Sequence, residues 1–119
     1  MQSNHRCVPD LSAFDADIYI VTDGSDTPVR GTSASTPIVA GMMSLINDVL
    51  LLNGLSPLGF LNPFLYQNQD VFLDVTRGSN NGFDAVEGYD PASGLGTFNA
   101  TTFEMLLQRA LASKKEFLH

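Results

Sequence analysis

The chain has 119 residues, of which 44% are hydrophobic and 16% charged, a balance that is typical of folded proteins and excludes wholesale disorder. Thirteen acidic residues against six basic ones give a net charge of −7, and without clustered Lys and Arg the sequence argues against binding to nucleic acid. Such acidity either serves solubility alone or suits an acidic compartment. Cys7 is the single cysteine, so an internal disulfide is excluded.

Neither a signal peptide nor a membrane span is predicted. Residues 1–10 are polar and lack an apolar core. The longest apolar stretch, residues 37–52, is shorter than a bilayer-spanning helix requires and contains Asn47 and Asp48.

A β-hairpin followed by a long helix is predicted for the first half of the chain. Residues 18–22 are β-branched and aromatic, and a turn at residues 23–26 leads to a short returning strand at residues 27–30. Thr36 is predicted to cap a helix that carries Pro37 in its first turn and ends near Leu52. This helix is apolar on nearly every side, which predicts burial by more protein than the chain supplies.

The second half is predicted to be less regular. A short helix opened by Pro63 is followed by residues 67–96, which are rich in Asp, Asn and Gly without sustained periodicity. A final amphipathic helix is predicted over about residues 101–112. Asn99 begins a glycosylation sequon, although it can equally cap this last helix.

The strongest chemical signal is the heptapeptide GTSASTP at residues 31–37. It places Ser33 at the N-terminal end of a helix, where free N–H groups and the helix dipole favour the negative charge that develops during acyl transfer. Gly-Thr-Ser alone would instead favour an ordinary Ser/Thr helix cap, and the full heptapeptide reverses that preference. His5 and His119 lie in polar ends of the chain without an expected partner, so neither is predicted to be a general base.

The heptapeptide resembles the nucleophile motif of the subtilisin clan, in which the third residue is the catalytic serine. Ser35 points away from ordinary subtilisins and towards the sedolisin family of serine-carboxyl peptidases, with its tripeptidyl peptidases. The resemblance runs over about residues 6–100, through the segments VPDLSA (8–13), LIN (45–47), LGFLNP (58–63), LY (65–66), DVTRG (74–78), GYDP (88–91) and GLGT (94–97).

This resemblance implies an α/β fold: the C-terminal portion of a subtilisin-like three-layer domain, with a parallel sheet, a buried nucleophile helix and a calcium loop. Residues 1–119 are expected to form an incomplete C-terminal part of one sedolisin-type catalytic domain. Sedolisins use a Ser-Glu-Asp triad whose acids lie far upstream of the serine. Ser33 is thus expected to be catalytic, and the chain alone to be inactive without the missing N-terminal part.

The family also implies an acid-acting peptidase, with tripeptidyl-peptidase activity favoured and endopeptidase activity left open. Its substrate would be a peptide or protein, and its location lysosomal or extracellular. Two alternatives remain, namely a non-catalytic calcium-binding module and a pseudoenzyme fragment that associates with another chain.

A calcium site is the second chemical expectation. Asp74 and Asp90 offer carboxylates beside a glycine-rich chain that can turn its carbonyls inward, although most acidic loops are simply solvated. The EF-hand pattern is absent. The sedolisin resemblance implies one Ca²⁺, with ligands expected from the following residues: Asp74, Val75, Val86, Gly88 and Asp90.

Overall fold

The computed structural model describes residues 7–116, so His5 and His119 lie outside the described residues. Within this range the chain divides into two compact units. One comprises residues 7–12 and 60–105, and the other comprises residues 13–59 and 106–116.

The second unit begins with the predicted hairpin. Strand β1 (Ile18–Thr22) pairs antiparallel with strand β2 (Ser25–Val29), and Thr22 lies opposite Ser25. Asp23 and Gly24 connect them with φ angles of 52° and 76°, the left-handed pair that a two-residue type I′ hairpin turn requires. β1 is confirmed, whereas β2 begins two residues earlier than predicted because the turn is shorter. The parallel sheet expected for a complete three-layer domain stays a prediction, since this hairpin is the one sheet among residues 7–116.

Helix α1 (Thr32–Leu52) follows the hairpin and begins four residues before the predicted start. Its N-cap is Gly31, with φ at 89°, so the prediction that Thr36 caps the helix was wrong. The carbonyl of Gly31 already accepts the N–H of Ala34 at 2.8 Å. Pro37 therefore lies inside the helix, where its missing N–H leaves the Ser33 carbonyl without the usual i+4 donor.

Helix α1 is apolar on most sides, yet few of its side chains are buried. The buried positions are Ala34, Met43, Ile46 and Leu50. Leu45, Leu51 and Leu52 are 60%, 57% and 79% exposed. The buried nucleophile helix thus stays a prediction for a complete domain, because a helix of this composition is stable in water only when further protein covers it.

At 21 residues and a mean hydropathy of 1.5, α1 is long and apolar enough to cross a membrane, so the length argument against a span was wrong. Core helices of soluble proteins have the same length and composition.

The first unit is largely irregular, as predicted. It contains helix α2 (Asn62–Gln67), with Pro63 near its start, and a 3₁₀ turn at Gln69–Val71. Isolated bridges join Leu73 to Thr97 and Asp90 to Gly94. The buried apolar side chains of this unit are Leu65, Val71, Phe72 and Leu95.

Two glycines allow segments distant in sequence to approach closely in this unit. A Cβ at Gly94 would lie 2.5 Å from the carbonyl carbon of Asp10, and one at Gly96 would overlap the carbonyl oxygen of Leu73. The approach permits a hydrogen bond from Leu95 N to Asp10 O at 2.9 Å, and one from Ser12 N to Gly96 O at 2.9 Å. Residues 10–12 are therefore held against residues 94–96 by backbone pairing.

Helix α3 (Ala100–Glu116) starts as predicted and continues four residues further. The Asn99 side chain accepts the N–H of Thr102 at 2.8 Å, while the Thr102 hydroxyl accepts the N–H of Asn99 at 2.8 Å. This reciprocal arrangement caps the helix, so the capping role of Asn99 is confirmed and glycosylation there stays untested. Lys114 and Lys115 favour the extension, because positive charge is stabilising in a last turn.

Candidate functional site

Ser33 is the second residue of α1, and its side chain is exposed. The Gly31 carbonyl accepts the N–H groups of both Ala34 and Ser35, at 2.8 and 3.3 Å. Those two donors are therefore committed to the first turn of the helix. The N–H groups of Thr32 and Ser33 precede the first intrahelical bonds and lie at the positive end of the helix dipole. The hydroxyl of Ser33 thus shares its surroundings with backbone donors that can stabilise a nearby oxyanion.

The helix start is anchored to the segment that precedes β1. Gly31 N donates to Asp15 O at 2.7 Å, and the Ser35 hydroxyl donates to Phe14 O at 3.0 Å and Ala13 O at 3.3 Å. The two serines of the heptapeptide therefore have different surroundings. Ser35 bonds to backbone carbonyls, whereas the Ser33 hydroxyl remains available at the surface.

The hydroxyl of Ser33 has no acidic or basic hydrogen-bond partner among the residues that the structure describes. Among residues 7–116, no hydrogen bond joins its hydroxyl to a carboxylate, and these residues contain no histidine. That the activating acids lie upstream of the serine, as the family resemblance implies, stays a prediction.

Four of the five residues expected to hold calcium lie together in the first unit. Gly88 N donates to Asp74 Oδ2 at 2.7 Å, and Val86 N donates to Asp90 Oδ2 at 3.0 Å. These bonds join residues separated by as many as 14 positions. Val75 adjoins Asp74 in sequence.

Asp90 is the most enclosed carboxylate of the group, at 2% exposure. Its Oδ1 accepts the N–H groups of Ala92 and Ser93, both at 2.8 Å, and the Ser93 hydroxyl lies 3.1 Å from Oδ1 and 3.2 Å from Oδ2. The N–H of Val86 and the other donors stabilise the ionised form and hold the pKa of Asp90 below its ordinary value, against the opposing effect of burial. Asp90 therefore organises its own loop through hydrogen bonds.

The donor set fits a Ca²⁺ ion in part. Two carboxylates and nearby backbone carbonyls are the oxygen ligands that Ca²⁺ prefers. Asp74 is exposed and accepts the N–H of Gly88 at Oδ2, whereas Asp90 Oδ2 already accepts the N–H of Val86 and lies near the Ser93 hydroxyl. An ion at Asp90 would thus compete with Ser93. Clusters of three or more His, Cys, Asp or Glu side chains able to hold a metal are absent from residues 7–116.

A cleft of about 340 Å³ adjoins this loop. Its lining includes three acidic side chains, and its residues are the following: Gln69, Asp70, Phe72, Asp74, Glu87, Gly88, Tyr89 and Leu95. The loop therefore presents negative charge to the surface, which favours a cation over an anion.

Two features of this unit were missed by the sequence reasoning. The Ser93 contacts with Asp90 follow an Asp-x-x-Ser pattern in which an Asp side chain accepts N–H groups two and three residues later, and this turn signal was readable. The bond from the Tyr66 hydroxyl to Asp10 Oδ1, at 2.8 Å, joins residues 56 positions apart and has no local signal.

The Tyr66–Asp10 bond supports a prediction about titration. Burial, followed by the hydrogen bond and charge of Asp10, raises the pKa of Tyr66 to about 12. Asp10→Asn is expected to lower that pKa towards 10.0 without reaching it, because burial is the larger cause. The change is measured from the ultraviolet absorbance of tyrosinate, with Asp48→Asn in α1 as a control that leaves the curve unchanged.

The direction in which pH changes the stability of the fold follows from the same shift in the pKa of Tyr66. Because folding raises the pKa of Tyr66, the stability that Tyr66 adds to the folded state is fully present below pH 10.0 and is lost as the pH rises towards 12. An Asp10→Asn curve that superimposes on the unmodified one would contradict the assigned bond.

Comparison with known proteins shows which family shares these motifs, although no family model matches the chain. A tripeptidyl-peptidase named sed1 from Aspergillus fumigatus is 42% identical over 99 residues, which cover 79% of this chain and 15% of that protein. Tripeptidyl-peptidase 1 of Canis lupus familiaris is 45% identical over 106 residues, covering 79% and 19%. The human protein of the same name is 42% identical over 118 residues, covering 89% and 20%.

The chain thus spans no more than about a fifth of the length of these relatives. The similarity nevertheless covers most of the chain at an identity of 42% or more. The chain is therefore a homologue of the C-terminal part of the tripeptidyl-peptidases, and belongs to the sedolisin family that its motifs predicted.

Proposed function

We propose that this chain supplies the nucleophile, Ser33, of an acid-acting serine peptidase of the sedolisin type, with tripeptidyl-peptidase activity favoured by the names of its relatives. The observation that carries the proposal is the position of Ser33. Its exposed hydroxyl lies at the N-terminus of a 21-residue helix whose first two N–H groups precede the intrahelical bonds. The names of the relatives indicate the class of reaction, and the free N–H groups at the helix N-terminus are suited to stabilise its oxyanion.

The proposed roles of these groups follow from acyl transfer. The Ser33 oxygen attacks the peptide carbonyl, the hydroxyl proton is passed on to the departing amine as the C–N bond breaks, and water then hydrolyses the acyl-enzyme. The backbone N–H of Ser33 and the helix dipole stabilise the oxyanion of the tetrahedral intermediate. The Glu and Asp that take up the hydroxyl proton come from the upstream part of the catalytic domain.

Carboxylates acting as acids and bases explain an acidic working range, because they exchange protons at low pH. An acidic lysosomal or extracellular setting is consistent with the composition. Thirteen acidic residues against six basic ones repel one another less when part of them are protonated.

The chain by itself is expected to hydrolyse no peptide between about pH 3 and pH 7, because a serine hydroxyl without a base is a weak nucleophile. The measurement is turnover of tripeptide-releasing and internally cleaved fluorogenic peptides. In parallel, an enzyme containing this chain joined to its upstream domain is treated at acidic pH with a fluorophosphonate or a peptide aldehyde, and the modified residue is identified by mass spectrometry.

Modification of Ser33 in that enzyme would support the nucleophile assignment, and modification at Ser35 or elsewhere would refute it. Turnover by the isolated chain that Ser33→Ala abolishes would show that a base lies within these 119 residues. The non-catalytic alternatives require no modification of Ser33 in either preparation.

We also propose that one Ca²⁺ binds the loop through Asp74, Val75, Val86, Gly88 and Asp90. The bonds Gly88 N to Asp74 and Val86 N to Asp90 support this by bringing the two carboxylates to neighbouring backbone. The ion would link two segments that no regular secondary structure joins, and its contribution would be to stability and not to the reaction.

A further inference from the structure

The glycosylation sequon at Asn99 coincides with the start of α3, and its two uses of the asparagine side chain depend on different atoms. Asn99 is followed by Ala100, which is not proline, and then by Thr101, so the segment meets the rule for N-linked glycosylation. The helix cap uses Oδ1, which accepts the N–H of Thr102 at 2.8 Å. A glycan is attached to Nδ2 of the same side chain. Capping and glycosylation are therefore compatible at this residue.

The orientation of the Asn99 amide follows from its partner. The backbone N–H of Thr102 is a donor, so the atom that faces it is the oxygen of the carboxamide and not the nitrogen. The other hydrogen bonds of Asn99 among residues 7–116 use its backbone. Its N–H donates to the Thr102 hydroxyl at 2.8 Å, and its carbonyl accepts that hydroxyl at 3.1 Å and the N–H of Phe103 at 2.9 Å. The cap is thus complete without Nδ2.

The surroundings of the sequon suit a bulky, hydrophilic group. Residues 99–101 are exposed, whereas the next residue, Thr102, is buried. The two neighbouring threonines therefore differ: Thr101 lies at the surface, and the Thr102 hydroxyl bonds to Asn99. A carbon substituent on Nδ2 leaves the amide oxygen an acceptor, because peptide carbonyls accept hydrogen bonds in the same way while the adjoining nitrogen carries a Cα.

We propose that Asn99 carries an N-linked glycan while its side chain continues to cap α3. The inference rests on the lysosomal or extracellular location proposed above, since the transfer takes place in the secretory pathway. Nδ2 forms a bond to the anomeric carbon of an oligosaccharide that is carried on a lipid diphosphate. The bond between that carbon and the diphosphate oxygen breaks, the lipid diphosphate leaves with the electron pair, and the amide gives up one proton.

Substitutions at Thr101 test the glycan. The full-length enzyme is produced in eukaryotic cells behind a secretory leader, and the peptide that contains residue 99 is analysed by mass spectrometry before and after N-glycosidase treatment. The unmodified secreted enzyme is expected to carry a glycan at Asn99 in most molecules. Thr101→Ala removes the sequon and should abolish the glycan, whereas the matched control Thr101→Ser keeps the hydroxyl and should keep the glycan.

Substitutions at the capping atoms test whether the cap persists. Thr102→Val removes the capping hydroxyl and leaves the sequon intact, so its glycan should remain. Asn99→Asp and Asn99→Ala both lose the glycan, but only aspartate keeps an oxygen that accepts the N–H of Thr102. The melting temperature should therefore be a few degrees lower for Asn99→Ala than for Asn99→Asp.

The proposal is overturned by a secreted enzyme that lacks a glycan at residue 99, which would show that the rest of the domain covers this surface. A glycan that survives Thr101→Ala, or one that disappears in Thr102→Val, would also contradict it. Equal melting of Asn99→Asp and Asn99→Ala would refute the retained cap. The leader directs the enzyme into the secretory pathway whatever its natural location, and peptidase activity is not measured. Failure here is therefore distinct from failure of the proposed location or of the Ser33 assignment.

Discussion

Ser33→Ala is expected to lower the peptidase activity of an enzyme containing this chain by about 10⁴-fold or more, because removing the nucleophile of a catalytic triad has an effect of that size. Folding should be almost unaffected. The Ser33 side chain is exposed, and its hydroxyl makes no hydrogen bond within residues 7–116. The two measurements are kcat/KM for a tripeptide-releasing substrate at acidic pH and the melting temperature.

The matched control is Ser35→Ala, two residues further along the same helix. Its hydroxyl bonds to the carbonyls of Ala13 and Phe14, so its loss is expected to lower stability by about 0.5–1.5 kcal/mol. Most of the activity should remain in Ser35→Ala. Activity that survives in Ser33→Ala and disappears in Ser35→Ala would show that Ser35, and not Ser33, is the nucleophile.

Asp90→Ala is expected to be the most destabilising substitution in the proposed calcium loop, whether or not Ca²⁺ is bound. The change removes the acceptor of the N–H groups of Val86, Ala92 and Ser93 and of the Ser93 hydroxyl, and Ser93 is buried. Asp74→Ala removes one bond from an exposed carboxylate and should have a smaller effect. The measurement is the melting temperature of the full-length enzyme, with calcium and with a chelator.

The chelator separates the two roles of Asp90. If Ca²⁺ binds as proposed, chelation lowers the melting temperature of the unmodified enzyme, by an amount equivalent to roughly 2.7 kcal/mol for calcium at a hundredfold excess over Kd. Asp74→Ala should largely remove that difference. A metal-loaded enzyme whose melting does not respond to chelator near neutral pH would refute the calcium site and leave the hydrogen-bonding role of Asp90 intact.

Acidification should act in the same direction as Asp90→Ala. Because folding lowers the pKa of Asp90, its contribution is present above the unfolded value of 3.8 and is lost as the pH falls through the lower folded value. Protons also compete with Ca²⁺ for the same carboxylates. Stability that falls on acidification through this range as steeply in Asp90→Ala as in the unmodified enzyme would point to other groups.

Local chemistry explains the parts of this protein that its sequence could predict. Strand β1 follows from a β-branched, aromatic run, α2 from a proline at its start, and the Asn99 cap from a side chain that bonds to the backbone three residues later. The heptapeptide around Ser33, and the family of the chain, could likewise be recognised from the sequence, because the family motifs are short runs of contiguous residues. Each of these features depends on neighbours in the sequence.

Tertiary structure decided the rest, because the determining contacts join distant residues. Helix α1 starts at Thr32, four residues before the predicted start, in a chain whose Gly31 and Ser35 bond to backbone carbonyls of residues 13–15. The Tyr66 hydroxyl bonds to Asp10, 56 positions away, and this bond contributes to the raised pKa of Tyr66. No pattern in the neighbouring sequence indicates the pairing. The exposure of α1 also depends on what packs against it. Its apolar composition predicts that the helix is buried in a complete domain, but only the tertiary structure shows which of its side chains are buried.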